Sequence, residues 1–531
     1  MRLRRAVLGL AALALVLSFV PALRAQSEAA ASDETGHGRI LLVLPFDNRS
    51  GQPSLEWIRE AASDLLARRF ASAGFAPMSR VDRRYALDHL GLPENFQPTR
   101  ASSLKLAQTL DADSIVVGNF LVDGTQLVAE ARLVDVPHLR MGTAVTVRGP
   151  LNSMFDVFDS LAWKLTRQLD PNFSVAEETF IAASKGIRVD AYEQYIRGII
   201  EPDQAERLQH LQKAVAISTS LSSAWMALGR EYYNRQQYEQ AATAFSKVSR
   251  GDRDALEAGF YRGLSQLFSG DYPGAEKSFA AVAATLPLAE VLNNQGVAVS
   301  RQGHDGTELF MTAAKSDPNA SDYHFNLAVS LKRHGQTAGA QNELNEYLKL
   351  RPSDSEALNL QSAWKASTAL NVPVDPLERI VRSFDAAAFR QAEQMMEQMD
   401  AQKLAALAPK ERAEKLAEHG EDYLDRGLLL EAERQFQSAV SDDSKCVRAH
   451  IGLAKIREHA GDLEAARKEV RAALHQKPTA EAYVILGRID LAANHNEDAR
   501  NDLNEALKLD AVSQPARALM KQLESKDGPG K

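Results

Sequence analysis

Hydrophobic positions recur at helical spacing over most of the chain from residue 190 onward. From Ser222, apolar and small residues return about every 34 residues, which indicates an internal repeat built from two helices. The clearest unit has these residues at the recurring positions: Trp225, Leu228, Gly229, Tyr232, Ala241, Phe245 and Val248. One helical hairpin cannot bury its apolar face alone, so successive hairpins must stack. The pattern predicts a mostly α-helical solenoid, a superhelix of helical hairpins.

The repeats fall into two blocks with an interruption between them. The first array is predicted over residues 190–365 and the second over 413–512, followed by a capping helix over 513–526. Residues 366–412 are predicted to form an irregular helical connector, in which Asn371–Pro376 breaks the helix twice and Leu377–Leu407 is helical. Its Met395, Met396 and Met399 fit either an adaptable binding surface or core packing between the arrays, and helical spacing favours core packing.

A different pattern precedes the repeats, over residues 38–172. Short apolar runs alternate here with helical periodicity, which predicts a small α/β domain. Ile40–Leu44 is typical of a strand buried on both faces, and a turn at Asp123-Gly124 joins two further strands into a hairpin. Helices are predicted over Leu55–Phe70, Leu104–Leu110 and Met154–Leu169, and an added strand over Thr143–Val147.

The first residues have the pattern of an export signal. Arg2, Arg4 and Arg5 precede an apolar run, and Pro21–Ala25 offers a cleavage region, so residues 1–25 are predicted to be a signal peptide and 26–37 a flexible linker. An uncleaved anchor is the minor alternative. The mature chain is therefore expected in the periplasm or outside the cell, without a stable membrane span.

Composition narrows the classes of function. The net charge of −8 over 531 residues offers no basic field for nucleic acid, so no nucleic-acid partner is expected. The single cysteine, Cys446, excludes an intramolecular disulfide and a cysteine-rich zinc site. The chain lacks HExxH, GxSxG, GxGxxG and Walker A motifs, and its twelve histidines are scattered. We therefore expect no catalytic site, no metal and no cofactor.

Two resemblances follow from these residues. The repeat positions resemble the tetratricopeptide-repeat (TPR) family, and Leu44–Gly51, Ala112–Gly118 and Leu127–Asp135 resemble the TolB amino-terminal domain family. The resemblance implies a right-handed superhelix with a concave groove, beside an α/β domain of the kind found in bacterial envelope proteins. Ala76–Met78 and Arg140–Gly142 depart from the TolB pattern, so the edges of that domain are expected to differ.

The TPR resemblance also implies where a protein or peptide partner would bind. The groove-lining positions of the first helix in each hairpin correspond to Met226, Arg230, Tyr233, Phe260, Leu264, Asn293, Phe325 and Lys332. Aromatic and arginine residues carry most of the energy of many interfaces. The alternative is that these side chains pack on neighbouring helices or on the α/β domain, which is at least as favoured for Phe260 and Leu264.

The sequence thus favours an exported, non-catalytic scaffold that binds proteins in the cell envelope. The alternative is a secretion or envelope assembly component that forms homo-oligomers through its α/β domain. An enzyme with a novel site in that domain is the least favoured hypothesis, because no set of residues supports it.

Overall fold

The computed structural model describes residues 40–93, 99–365 and 376–527, and divides the chain into two units. The first unit ends at Phe173 and the second begins at Ser174. The predicted signal peptide and linker lie outside the described residues, as do residues 366–375 of the predicted connector.

The first unit is a mixed α/β domain. Its elements in chain order are β1 (Ile40–Val43), β2 (Asp47–Asn48), α1 (Trp57–Ser72), β3 (Ala76–Pro77), α2 (Arg80–His89), α3 (Arg100–Thr109), β4 (Ser114–Asp123), β5 (Gln126–Asp135), β6 (Arg140–Met141), β7 (Val145–Pro150) and α4 (Met154–Leu169). The sheet runs β3-β1-β4-β5, with β2 also on β4 and both β6 and β7 on β5. Pairs on the β1 side are parallel, whereas β4 and β5 form an antiparallel hairpin.

The departures from expectation in this unit lie at its polar and edge elements. Helix α2 was not predicted, because its sequence is rich in arginine and aspartate and buries only Arg83, Ala86 and Leu87. A capping box at Ser79 and Asp82 starts it instead. The added strand begins at Val145 and extends to Pro150, further than the apolar residues alone indicated.

The second unit is all α-helical over the residues described. Its helices are α5 (Glu177–Ala182), α6 (Val189–Ile200), α7 (Gln204–Ile217), α8 (Ser222–Asn234), α9 (Tyr238–Phe245), α10 (Ala255–Ser269), α11 (Tyr272–Ala283), α12 (Ala289–Arg301), α13 (Thr307–Ser316), α14 (Ser321–Arg333), α15 (Thr337–Leu350), α16 (Ser355–Lys365), α17 (Ala386–Ala405), α18 (Pro409–Asp425), α19 (Leu429–Asp442), α20 (Val447–Ala460), α21 (Leu463–Gln476), α22 (Ala480–Ala492), α23 (Asn496–Leu509) and α24 (Gln514–Asp527). Helices α6–α16 form the first array and α18–α23 the second. No helix within the described ranges is both long and apolar enough to cross a membrane.

One contact recurs in the hairpins and explains their spacing. The position where a Cβ would stand on Gly229 lies 2.6 Å from the ring of Phe245. Gly263 and Gly296 have the same relation to Phe279 and Phe310, at 2.7 and 2.8 Å. A larger residue would push the two helices of the hairpin apart, because these phenylalanines are fully buried or nearly so. The repeat therefore requires a small residue facing a large one.

The connector differs from its prediction. Residues 376–385 form no helix, and helix α17 begins only at Ala386. The expectation that the methionines pack in a core is wrong, since Met395, Met396 and Met399 are 58%, 42% and 52% exposed. The apolar spacing of this stretch predicts helices throughout, whereas residues 376–384 form no helix and pack against the first array.

Candidate functional site

Residues 376–384, here termed the docked segment, lie against the first helices of three successive hairpins, α10, α12 and α14. We term that surface the docking face. At its centre stand three asparagines, Asn293, Asn294 and Asn326, whose side chains are completely buried. Buried amide groups on a helix need hydrogen-bond partners, and here the partners are main-chain groups of the docked segment.

Two of these asparagines each bind one residue of the segment through both of its main-chain groups. Asn326 accepts a hydrogen bond from the Arg379 amide at 2.7 Å and donates to the Arg379 carbonyl at 2.8 Å. Asn294 binds Val381 in the same way, at 3.0 and 2.8 Å. Asn293 donates to the same Arg379 carbonyl at 3.1 Å and accepts from Asn326. Arg379 and Val381 are two residues apart, so an extended chain points their main-chain groups to the same side.

The asparagines occupy equivalent places in the repeat. Asn294 stands two residues before Gly296, and Asn326 two residues before Ala328, the small residues that face the second helix of each hairpin. In the preceding hairpin the same place, two residues before Gly263, is Tyr261, whose ring centre lies 6.5 Å from that of Phe384. Three consecutive repeats therefore contact the docked segment from one structural position, and two of them do so through its main chain.

The Arg379 side chain lies in an aromatic and acidic pocket. Its guanidinium is 4.1 Å from the ring centre of Phe325 and 4.7 Å from that of Tyr347. It also donates to Asp354 at 3.0 Å and to Glu356 at 3.3 Å. Aromatic rings at these distances together with carboxylate contacts suit a guanidinium better than an ammonium group.

Titration in this pocket is shifted in opposite directions. Burial and a hydrogen bond to Asp354 raise the pKa of Tyr347 to about 12. Burial alone would raise the pKa of Asp354, but hydrogen bonds from Tyr347, the Ala357 amide and Arg379 outweigh it and lower that pKa to about 2. The pocket therefore keeps a neutral phenol and a charged carboxylate beside the arginine.

The residue before Arg379 has a pocket of opposite charge. Glu378 is buried, and its carboxylate accepts from the Ser300 hydroxyl at 2.5 Å, from Arg301 at 3.2 Å and from Arg333. Burial acts to raise the pKa of Glu378, yet the hydrogen bonds from Ser300 and Arg333 hold it below its usual value. Glu378 and Arg379 are adjacent in the chain and opposite in charge. They therefore occupy two neighbouring pockets, one basic and one acidic.

The predicted groove residues are only partly gathered here. Asn293 and Phe325 contact Arg379, and the Phe260 ring is 5.7 Å from that of Phe384. Met226 and Leu264 are buried within the array, as the packing alternative expected for Leu264. The remaining three lie elsewhere: Arg230 pairs with Glu257 at 2.5 Å, Tyr233 packs on Tyr238 and Tyr261, and Lys332 stands over Trp364.

Several residues that contact the docked segment were missed by sequence reasoning, above all Asn294, Asn326, Tyr347 and Asp354. A signal for Asn294 and Asn326 was present, because they recur at the same position of two consecutive repeats. The pockets for Glu378 and Arg379 had no such signal, since their members come from separate helices.

A second segment packs on the other array. Residues 174–182 lie against α19 and α20, where Glu433 accepts from the Ala176 amide at 3.2 Å and pairs with Arg457 at 2.5 Å. Arg457 also donates to Thr179 at 3.3 Å, and Phe180 is fully buried. Burial raises the pKa of Glu433 while Arg457 opposes that rise.

Within the ranges the structure describes, Asp490, His495 and Asp498 have ligand atoms within 4.8 Å of one another. Asp490 is already bound by Arg467 at 2.6 Å, and acidic groups of this kind are common without an ion. Burial and the neighbouring Asp490 raise the pKa of Asp502.

Comparisons with known proteins bear on the helical region. Residues 226–298 and 418–481 match a family model described as tetratricopeptide repeat. The chain is similar to the solved structure of a MamA RS-1 double mutant, with 22% identity over 32% of this chain and 98% of that one, at a TM-score of 0.29. It is also similar to YrrB, described as a TPR protein with an unusual peptide-binding site, with 14% identity over 38% of this chain and 99% of that one, at a TM-score of 0.29.

A third similar structure covers a different share of the chain. The LpoB C-terminal domain from Salmonella enterica has 19% identity over 23% of this chain and 91% of that one, at a TM-score of 0.20. No curated protein sequence matches the chain.

Proposed function

Because this chain is a tetratricopeptide-repeat protein, whose fold mediates protein–protein interaction, we propose that it is an exported, non-catalytic scaffold of the bacterial envelope. Its partner would bind the docking face as an extended segment. The observation that carries this proposal is the double hydrogen bonding of single residues by Asn294 and Asn326. Main-chain hydrogen bonds supply affinity for an extended peptide, while side-chain pockets supply specificity.

Export and location are part of the same proposal. They are supported by the arginine-rich start, the apolar run that follows and the cleavage region at Pro21–Ala25. Fractionation of the producing cells, with amino-terminal sequencing of the mature protein, tests them. We expect a periplasmic or secreted chain that begins at Gln26, and a mature chain beginning at Met1 would contradict cleavage.

The partner is tested by affinity capture from envelope extract with the full mature chain. An Asn294→Ala, Asn326→Ala double variant removes the main-chain contacts, and Asn345→Ala is the matched control because Asn345 is exposed on α15. We expect a partner that the wild type and the control retain and the double variant loses. A partner retained equally by all three would contradict binding at the docking face, provided circular dichroism shows that the double variant is folded.

A second candidate function is assembly through the α/β domain. It is favoured by strand β7, which among the described strands hydrogen-bonds β5 alone and so offers a sheet edge. This function predicts large particles from residues 38–172 in sedimentation, with the edge substitution Val147→Pro reducing them. A monomer at all concentrations would exclude it.

A further inference from the structure

We propose that the docked segment is an exchangeable internal ligand, and that the partner which replaces it carries the same chemistry. That chemistry is an extended segment with a glutamate followed by an arginine and, two residues later, a β-branched aliphatic residue. This inference rests on the proposed function and names the class of partner and its regulation.

The order of charges defines the partner. Glu378 meets Ser300, Arg301 and Arg333, whereas Arg379 meets Asp354, Phe325 and Tyr347. A segment with the two charges exchanged would place arginine against arginines and glutamate against carboxylates. Like charges in partly buried sites are strongly unfavourable, so the face discriminates by repulsion as well as by attraction.

The segment is held mainly by groups that another chain could supply. Leu377 is 66% exposed and Arg382 and Ser383 are exposed too, while Ile380, Val381 and Phe384 are only partly buried where they pack on the array. Its firm apolar anchor is Phe389, which is 3% exposed and lies beyond the segment in α17. Residues 376–384 can therefore leave the face while α17 keeps its anchor.

Tethering determines how a partner competes. A segment attached to its own binding face has a high effective concentration, of order millimolar for short tethers. If the face is free only about 1% of the time, an outside ligand binds about a hundredfold more weakly than its intrinsic affinity. Weakening the internal segment should therefore strengthen the binding of an external one.

The test uses the full mature chain and a fluorescent synthetic peptide with the sequence of residues 376–384. The chain variant is Glu378→Ala with Arg379→Ala, which weakens only the internal copy. We expect it to bind the peptide at least about tenfold more tightly than the wild type, because the competitor is weaker. Leu377→Ala, at an exposed position of the segment, is the matched control and should bind as the wild type does.

The second half of the test changes the peptide and leaves the protein as it is. These substitutions therefore cannot unfold the protein. A peptide with Val381→Pro lacks the amide that Asn294 accepts, and one with residues 378 and 379 exchanged reverses the charges. Both should bind at least about tenfold more weakly than the parent peptide. Equal binding by these peptides, or no gain of affinity in the chain variant, would overturn the inference. Either result would leave the partner capture by the wild type intact, so the two proposals fail separately.

Discussion

The two arrays each hold a segment of the same chain, and they hold it by different means. The docked segment is bound through its main chain, through the buried Glu378 and through Arg379 in a partly open pocket. Residues 174–182 instead place Phe180 and Thr179 in full burial, beside the completely buried Glu433. The comparison teaches that similar repeats can hold a segment either as removable ligand or as permanent structure. The difference lies in which atoms are buried.

The largest effect is expected where the second segment is held. Glu433→Ala leaves the Arg457 guanidinium, 13% exposed, without its carboxylate, and breaking one partner of a buried pair costs about 3–5 kcal/mol. We expect a loss of about that size in the free energy of unfolding, measured by urea titration of the helical signal. Glu418→Ala, at an exposed ion pair with Lys415, is the control and should cost less than about 1 kcal/mol. Similar losses in the free energy of unfolding for Glu433→Ala and Glu418→Ala would contradict the view that the buried pair holds residues 174–182.

A smaller effect is expected at the docking face. Asn326→Ala removes both hydrogen bonds to the main chain of Arg379. We expect the free energy of unfolding to fall by about 2 kcal/mol. Hydrogen exchange measures the consequence directly, since the Arg379 and Val381 amides should exchange faster in the variant. Residues 174–182 should keep their wild-type exchange. Unchanged exchange in the docked segment would mean that the asparagines do not hold it.

The acidic pocket around Arg379 predicts a pH dependence of moderate size. The pKa of Asp354 is about 2 in the folded chain, whereas an unfolded aspartate titrates near about 4. Because the folded value is the lower one, this stabilisation is present above about pH 4 and is lost as the pH falls towards 2. Between about pH 5 and 2.5, we expect the wild type to lose about 1 kcal/mol more than Asp354→Asn, after allowance for solvent screening. Unfolding titrations at both pH values measure the difference, and parallel losses would contradict it.

The smallest effect is expected on α17. Met395→Gln and Met399→Gln alter side chains that are more than half exposed, so we expect a change below about 0.5 kcal/mol in the free energy of unfolding. A loss of several times that size would mean that these methionines are covered by another molecule in solution. A concentration series of the wild type would then distinguish a second copy from a different partner.

The sequence predicted the helical solenoid because its signal is local and repeated. Each hairpin needs a small residue such as Gly263 opposite a large one such as Phe279, and that pair recurs at a fixed spacing. The fold class and the TPR resemblance were confirmed for this reason. Helix α2 was not predicted, because a capping box and not an apolar face marks its start.

The binding site was less predictable. Groove positions carried over from the family included Asn293 and Phe325 but missed Asn294, its direct neighbour, which binds Val381. The docked segment was read as helix because its apolar residues have helical spacing. Its extended form depends on hydrogen bonds to residues 53 to 87 positions away, which no local pattern records.

The equivalence of Tyr261, Asn294 and Asn326 also gives the docking face a direction and a length. The later repeat binds Arg379, the middle one binds Val381 and the earlier one contacts Phe384, so the bound chain runs opposite to the order of the repeats. An extended chain advances about 3.3 Å per residue. The residues bound by successive repeats are two or three positions apart, so each repeat binds two or three residues of ligand. Adding or deleting one such repeat would change the length of peptide recognised by one step and leave its orientation unchanged.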